Sequence, residues 1–331
     1  MLRRLLLLTL LLFTAATPAT TLKIATLLPD GTGWMRAMRD AATEVAERTQ
    51  GRVTLRFYPG GVMGNDKSVL RKIRAGQLHG GVLTSGGLVA VDPDIQLYSL
   101  PFLFRSFEEV DYVRERMDPL LIEGLRREGF VSYGLMEGGF AYLMTQTPIS
   151  RVEELRQTKV WSPEGDRVAL AAFEALNISP ISLPLSDVLT GLQTGLIETI
   201  SASPVAAIAL QWHTAVKYLT DTPLLYLYGS LVIRERDLER LSPADRTVLA
   251  QVLEKASRQL NDANRRDNES ARQVLQQRGI LLITPSREEL VHWQSIVGDA
   301  MESARQQGGG YSSHLLGKLR HHLNNLRNGQ R

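Results

Sequence analysis

The residue types that usually carry catalysis are poorly arranged for it in this chain. Its 331 residues include no cysteine, which excludes a thiol nucleophile, a thiolate-bound metal and a disulfide scaffold. None of the six histidines has zinc-ligand spacing to another histidine beside a carboxylate. Gly-x-Ser-x-Gly, Walker-type and dinucleotide-binding glycine motifs are also absent. We therefore predict no metal, no cofactor and no enzymatic activity, although serine and aspartate are numerous enough to keep an exported enzyme open as an alternative.

The stretch most typical of a binding site runs from Thr158 to Val168. It predicts a strand at Lys159 to Trp161, then a loop, and then a helix from about Asp166 to Leu176 with Asp166 as its cap. In open α/β sheets the ligand crevice lies beyond the carboxyl ends of the strands. Trp161, as the last residue of its strand, is therefore expected to be directed into a pocket. The alternative is that Trp161 is an ordinary core residue.

The elements around this stretch alternate between strand and helix, which is typical of parallel sheets with helices on their faces. The pattern runs from the N-terminal region to about residue 138 and then restarts, which predicts two α/β lobes. A helix of about 35 residues, starting at Ser242-Pro243 and stopping at Gly279, is long enough to brace both lobes at about 1.5 Å per residue. We assign lobe I to residues 20–138 plus 225–266 and lobe II to residues 139–224 plus 267–310.

Several local predictions concern breaks in this pattern. Pro119 is expected to separate two helices, Phe107 to Met117 and Pro119 to Glu128. Gly138-Gly139 is expected to separate two strands, of which the second crosses between the lobes. The segment Pro204 to Lys217 is predicted to be helical. Residues 311–331 are predicted to be a basic C-terminal tail, and the sequence leaves its order open.

Composition and charge limit the classes of protein to which this chain can belong. Hydrophobic residues make up 44% of the chain and charged residues 22%, which is ordinary for a globular protein. Residues 1–19 have the layout of a signal peptide, with Arg3 and Arg4 before an apolar run and alanines near its end, so we predict export to the periplasm. The formal net charge of +3 is dispersed, and no nucleic-acid partner is predicted.

Several sequence blocks resemble the solute-binding receptors of tripartite ATP-independent periplasmic (TRAP) transporters. The blocks stand in the family's order and spacing and cover most of the chain; they are the stretches at residues 44–52, 57–64, 73–78, 100–104 and 192–195. The resemblance implies an α/β, two-lobed periplasmic binding protein, each lobe a mainly parallel sheet flanked by helices. It also implies a ligand enclosed between the lobes, and membrane subunits of the transporter as partners.

The chain departs from the family where carboxylate-binding members carry their anion-binding residues. The strand-end arginine that pairs with the ligand is Trp161 here, and a second arginine on the crossing strand is replaced by Ala141. A hydrophobic or amphipathic ligand, lipid-like or aromatic, is therefore expected rather than a simple carboxylate. The predicted ligand-binding residues are Trp161, Phe140, Tyr142, Trp34, Thr84, Ser203 and Trp212.

A branch of the family shares further motifs with this chain. They are the Lys-x-Trp and Gly-Asp pattern at residues 159–166, the Gln-Trp at 211–212 and the stretch at 216–221. Resemblance to this branch implies a possible periplasmic partner built of tetratricopeptide repeats. The alternative function from another class is a periplasmic scaffold or sensor whose cleft engages a protein.

Overall fold

The computed structural model describes residues 19–306 and 310–329, so the predicted signal peptide lies outside the described residues apart from Ala19. The strands are β1 Thr20–Thr26, β2 Val53–Tyr58, β3 Gly80–Thr84, β4 Phe130–Thr145, β5 Trp161–Pro163, β6 Ile181–Leu183, β7 Thr199–Ala202, β8 Tyr218–Thr220, β9 Leu225–Arg234 and β10 Leu281–Ile283. The helices are α1 Gly33–Arg48, α2 Asp66–Arg74, α3 Ser85–Leu88, α4 Phe107–Arg127, α5 Val152–Leu155, α6 Arg167–Ala175, α7 Val188–Gln193, α8 Pro204–Ala209, α9 Glu235–Leu238, α10 Pro243–Gln277, α11 Arg287–Gln306 and α12 Ser313–Arg327.

Two α/β lobes form, as the strand and helix pattern predicts. In lobe I the strand order is β2-β1-β3-β9-β4, with β1 parallel to β2 and β3, and with β9 antiparallel to β3 and β4. In lobe II, β4 continues as the antiparallel neighbour of β7 and β8, β10 runs parallel to β8, and β5 pairs with β6. A parallel bridge from Val160 to Thr199 joins β5 and β6 to this sheet. Each lobe is therefore a mixed sheet.

The predicted break at Gly138-Gly139 is wrong, because β4 is one strand of 16 residues that both lobes share. Its residues up to Ala141 pair with β9, and from Tyr142 onward it pairs with β7. The glycines serve a bulge rather than a turn: the register with β9 shifts between Glu137 and Gly139, and Gly139 has φ +87°. The crossing strand is thus continuous and bends without ending.

Two further predicted boundaries are also wrong. Helix α4 runs through Pro119, because buried residues on both sides of the proline, including Met117 and Leu121, keep one face packed on the core. Helix α8 ends at Ala209, where Gln211 adopts a left-handed conformation with φ +60°, and the chain then forms β8 instead of a longer helix.

The long helix α10 has the predicted length, 35 residues, and contacts both lobes. On the lobe I side, Asp245 accepts hydrogen bonds from Arg52. On the lobe II side, Asn268 accepts from the backbone N–H of Val205, and Arg272 forms an ion pair with Asp221. The side-chain amide of Asn268 also donates to Gly138 O, so α10 is anchored to the bend of β4.

The basic C-terminal segment, whose order the sequence leaves open, is mostly helical and packed on lobe I. Residues 313–327 form α12, and its buried leucines pack the helix against α4; they are Leu316, Leu319 and Leu323. Arg327 closes the contact by donating two hydrogen bonds to Glu109. The apolar residues repeat at helical spacing, so the basic character of the segment belongs only to its outer face. Within residues 19–306 and 310–329, no helix combines the length and apolar character needed to cross a bilayer.

Candidate ligand-binding site

A cavity of about 1500 Å³ lies between the two lobes. Lobe I contributes the start of α1, the first turns of α2 and the β3–α3 junction, while lobe II contributes the β5–α6 turn and the start of α8. Trp293 and Val297 on α11 add a further apolar wall. Because both lobes line it, any ligand held there is contacted from both sides.

Trp161 lines this cavity, but most of its surface is packed inside lobe II. The residue is 3% exposed, and its indole Nε1–H donates to Leu183 O at 3.0 Å. Its ring meets the ring of Trp212 edge to face with centroids 5.4 Å apart. The strand prediction places Trp161 at the wrong end, since Trp161 begins β5 and does not end it. Trp161 is therefore both a core residue of lobe II and part of the cavity wall.

Four other predicted residues also line the cavity. Trp34 is half-buried near the start of α1, and Trp212 is 3% exposed. Ser203 is 1% exposed and is the cap of α8, where its Oγ accepts from the Ala206 N–H. Thr84 caps α3 and donates to Asp66. Both hydroxyl residues thus have a structural role at a helix start as well as a position in the wall.

Phe140 and Tyr142 do not line the cavity, which corrects the expectation of one aromatic wall shared with Trp161. The Phe140 ring packs on Phe107 and Tyr226 in the core, and Tyr142 lies under the Arg272 guanidinium. The two residues do share a face of β4, as a period of two requires. Leu143, on the opposite face, is the residue that reaches the cavity.

Two of the carboxyl groups that line the cavity stand at helix starts on opposite lobes, Asp66 at α2 and Asp166 at α6. In lobe I, Asp66 Oδ2 accepts from the N–H and Oγ1 of Thr84 at 3.2 and 2.6 Å, and its Oδ1 has no hydrogen-bond partner among the described residues. In lobe II, Asp166 Oδ1 accepts from the Ala169 N–H as the cap of α6, as the sequence predicts. Burial raises the pKa of both carboxyls, and the hydrogen bonds offset that effect only in part.

The basic residues that line the cavity are all solvent-exposed. Among the side chains that the structure describes, those lining it are Lys67, Arg71 and Arg74, all exposed on α2. Two more arginines, Arg114 and Arg265, are already paired with Glu137 and other carboxylates at the bend of β4. Among the described residues, the arginines that line the cavity are therefore the exposed Arg71 and Arg74, and no buried arginine lines it. No group of metal-ligating side chains occurs within the described residues either.

Sequence reasoning missed several cavity residues. Asp66, Trp293 and Val297 carry no motif that marks them, and α11 reaches the cavity only because it packs on α6. The contact between Asn65 and Glu164, whose side chains hydrogen-bond at 2.7 Å across the two lobes, was also unforeseen. No local pattern connects residues so far apart in sequence; the signal that was available is only that Asn65 precedes a helix.

Two α/β lobes joined by crossing strands, with a cavity between them, define a bilobal solute-binding protein. The profile of the DctP family, described as bacterial extracellular solute-binding protein, family 7, matches residues 24–307. The chain therefore belongs to this family of TRAP solute-binding proteins, which bind small molecules for membrane transport subunits and are not enzymes.

Curated relatives and solved structures agree with that assignment. The C4-dicarboxylate-binding periplasmic protein DctP of Rhodobacter capsulatus is 24% identical over 260 residues, 77% of each chain. A TRAP periplasmic solute-binding protein from Ochrobactrum anthropi superposes with a TM-score of 0.80 at 23% identity, covering 95% of this chain and 97% of that one. The sugar acid binding protein DctPAm from Advenella mimigardefordensis, in complex with galactonate, gives 0.86 at 18% identity, covering 93% and 98%. At these identities the structures establish the fold.

Proposed function

We propose that this protein is the periplasmic receptor of a TRAP transporter for a hydrophobic or amphipathic ligand. The observation that carries the proposal is the composition of the interlobe cavity. Trp161 lines the cavity at the position to which the family resemblance assigns the carboxylate-binding arginine, and the described basic side chains of the lining are exposed on α2. A buried carboxylate with no cationic partner loses several kcal/mol of solvation.

Acidic side chains in the cavity lining add to this argument. Asp66 and Asp166 both face the space between the lobes, and an anionic ligand placed there would lie in the field of these carboxyls. By contrast, burial of apolar ligand surface contributes about 25 cal/mol per Å², so a contact of a few hundred Å² supplies several kcal/mol before ordering costs. Such a ligand needs no ion pair for affinity.

The relatives point in a different direction. One relative is a C4-dicarboxylate-binding protein, and two structural neighbours hold galactonate and succinate. A competing proposal is therefore a small acid whose carboxylate is held by the arginines of α2, Arg71 and Arg74. The two proposals differ in what they predict: binding of a small acid would depend on these two arginines and would weaken in high salt, whereas binding of an apolar ligand would not.

The test is a direct comparison of one apolar and two acidic probes. The protein is unfolded and refolded to remove any molecule that co-purifies, and binding of decanol, succinate and galactonate is measured by calorimetry and tryptophan fluorescence. We expect decanol to bind with an affinity that high salt leaves unchanged, and the two acids to bind weakly or not at all. Micromolar binding of succinate or galactonate, abolished in Arg71→Ala, would establish the acid receptor instead.

Location and partners belong to the same proposal. The periplasmic relatives support export, and residues 1–19 supply a candidate signal peptide. We propose the membrane subunits of a TRAP transporter as the receiving partner and a tetratricopeptide-repeat protein as a second periplasmic partner. Affinity capture from a periplasmic extract, with and without decanol, tests both; capture of a repeat protein by ligand-free receptor alone would favour the scaffold function.

A further inference from the structure

The two lobes touch directly at the mouth of the cavity. Asn65 Nδ2 donates a hydrogen bond to Glu164 Oε2 at 2.7 Å, and 99 residues separate the two in sequence. Asn65 immediately precedes α2 in lobe I, and Glu164 lies in the turn between β5 and α6 in lobe II. Both residues line the cavity, so this exposed bond joins the two lobes at the cavity wall.

Both partners are held in place by their own helix starts. Asn65 Oδ1 accepts from the Ser68 N–H as the cap of α2, which leaves Nδ2 to point away from the helix. Glu164 is followed by Gly165, with φ +84°, and by the α6 cap Asp166, whose N–H donates to Pro163 O. Because the backbone around each partner is already ordered, forming the bond across the cleft costs little additional conformational freedom.

The two lobes also come close together at a second point, between Gly86 and Asp166. A Cβ added to Gly86 of lobe I would lie 3.8 Å from Asp166 Oδ2 of lobe II, which is ordinary van der Waals contact. Gly86 therefore leaves little more than the width of one methyl group between α3 and the β5–α6 turn. The turn carrying Glu164 and Asp166 thus meets lobe I at two neighbouring points.

We propose that Asn65 and Glu164 form a clasp that holds the lobes closed and prolongs the residence of the ligand. This inference rests on the proposed receptor function, because a clasp matters only where closure retains a ligand. The bond is charge-assisted but exposed to solvent, so it shifts the balance between open and closed forms several-fold and does not lock it. The two residues act as positioning residues that need not touch the ligand.

The substitution that isolates the clasp is Asn65→Asp. Aspartate caps helices as well as asparagine does, so α2 keeps its N-cap, while the donor is lost and two carboxylates face each other. The matched rescue is Asn65→Asp combined with Glu164→Gln, in which the glutamine amide donates back to the aspartate. A merely structural role of either residue would not be rescued by this exchange of donor and acceptor.

The readouts are the interlobe distance and the rate of ligand release. Because the chain has no cysteine, cysteines replacing Glu47 on α1 and Glu174 on α6 carry spin labels without side reactions. We expect Asn65→Asp to reduce the closed fraction and to raise the decanol release rate about 3- to 10-fold, and the double variant to restore both. Unchanged distances and release in Asn65→Asp, or no recovery in the double variant, would overturn the clasp.

The distance measurement also separates the two proposals. It is made first without ligand, so a change in closed fraction that is rescued by the double variant supports the clasp even if decanol never binds. Failure of decanol to bind any variant would count against the apolar ligand alone. A wild-type protein that shows only the open distance, both with and without decanol, would overturn the clasp.

Discussion

Trp161 and Trp212 meet edge to face with their ring centroids 5.4 Å apart, one in the β5 strand of lobe II and the other in the short turn after α8. Both rings also line the interlobe cavity. The pair therefore belongs both to the core of lobe II and to the wall of the candidate ligand site. We expect a change at either ring to alter stability, and to alter binding as well if the ring contacts the ligand.

Trp161→Ala is expected to lower the free energy of unfolding by about 3–5 kcal/mol, because it removes a buried aromatic side chain and its bond to Leu183 O. If the ring also contacts ligand, decanol affinity should fall as well. Trp161→Phe is the control, since it keeps an aromatic ring, although a smaller one, and removes the indole N–H. Denaturant unfolding and calorimetry separate the two effects; unchanged affinity in a folded Trp161→Ala protein would make Trp161 a core residue only.

Asp66→Asn is expected to stabilise the protein at neutral pH. Burial raises the pKa of Asp66 in the folded state, so the folded form binds the proton more tightly than the unfolded form, and wild-type stability falls as pH rises above about 4, the ordinary aspartate pKa. The asparagine keeps the acceptor for Thr84 and removes the charge. Urea unfolding from pH 3.5 to 7.5 should show a gain that disappears at the acid end, where wild-type Asp66 is protonated; an equal gain at every pH contradicts this account.

Glu137 is expected to be essential for the stability of the hinge region. It is buried and ion-paired with both Arg114 and Arg265 at the bend of β4. Glu137→Ala leaves the buried Arg114 with less compensating charge and should cost about 3–5 kcal/mol of unfolding free energy. The matched control is Asp111→Ala, an exposed partner of Arg265, for which a loss of about 1 kcal/mol or less is expected. Equal losses in chemical denaturation would show that burial does not distinguish the two carboxylates.

Helix α12 is expected to be part of the folded unit. Leu319→Ala removes a fully buried side chain from its contact with α4 and should cost about 2–5 kcal/mol. Lys318→Ala, on the exposed face of the same helix, should change the unfolding free energy by less than about 0.5 kcal/mol. Thermal and denaturant unfolding check both variants. If Leu319→Ala is as neutral as Lys318→Ala, α12 does not stabilise lobe I.

Local sequence patterns were sufficient for most of the lobe elements. Helix α10 has its expected length because the stripe of apolar residues and the Ser242-Pro243 start are local signals, and the Asp166 cap follows from the residues next to it. The absence of an arginine at position 161 is likewise visible in the chain itself. These features depend on spacing within a few turns, which is the range over which sequence periodicity is informative.

The site itself depended on which faces the tertiary structure turned toward the cavity. A period of two places Phe140 and Tyr142 on one face of β4, but only the packing of that strand between the lobes directs Leu143, and not those two, to the cavity. The position of α12 against α4 and the bond between Asn65 and Glu164 likewise join residues from distant parts of the chain. Sequence spacing determines how side chains are arranged around one strand or helix. The contacts that bury those side chains are made by other elements. Which face is buried, and which residues meet across the lobes, is therefore decided only when the chain has folded.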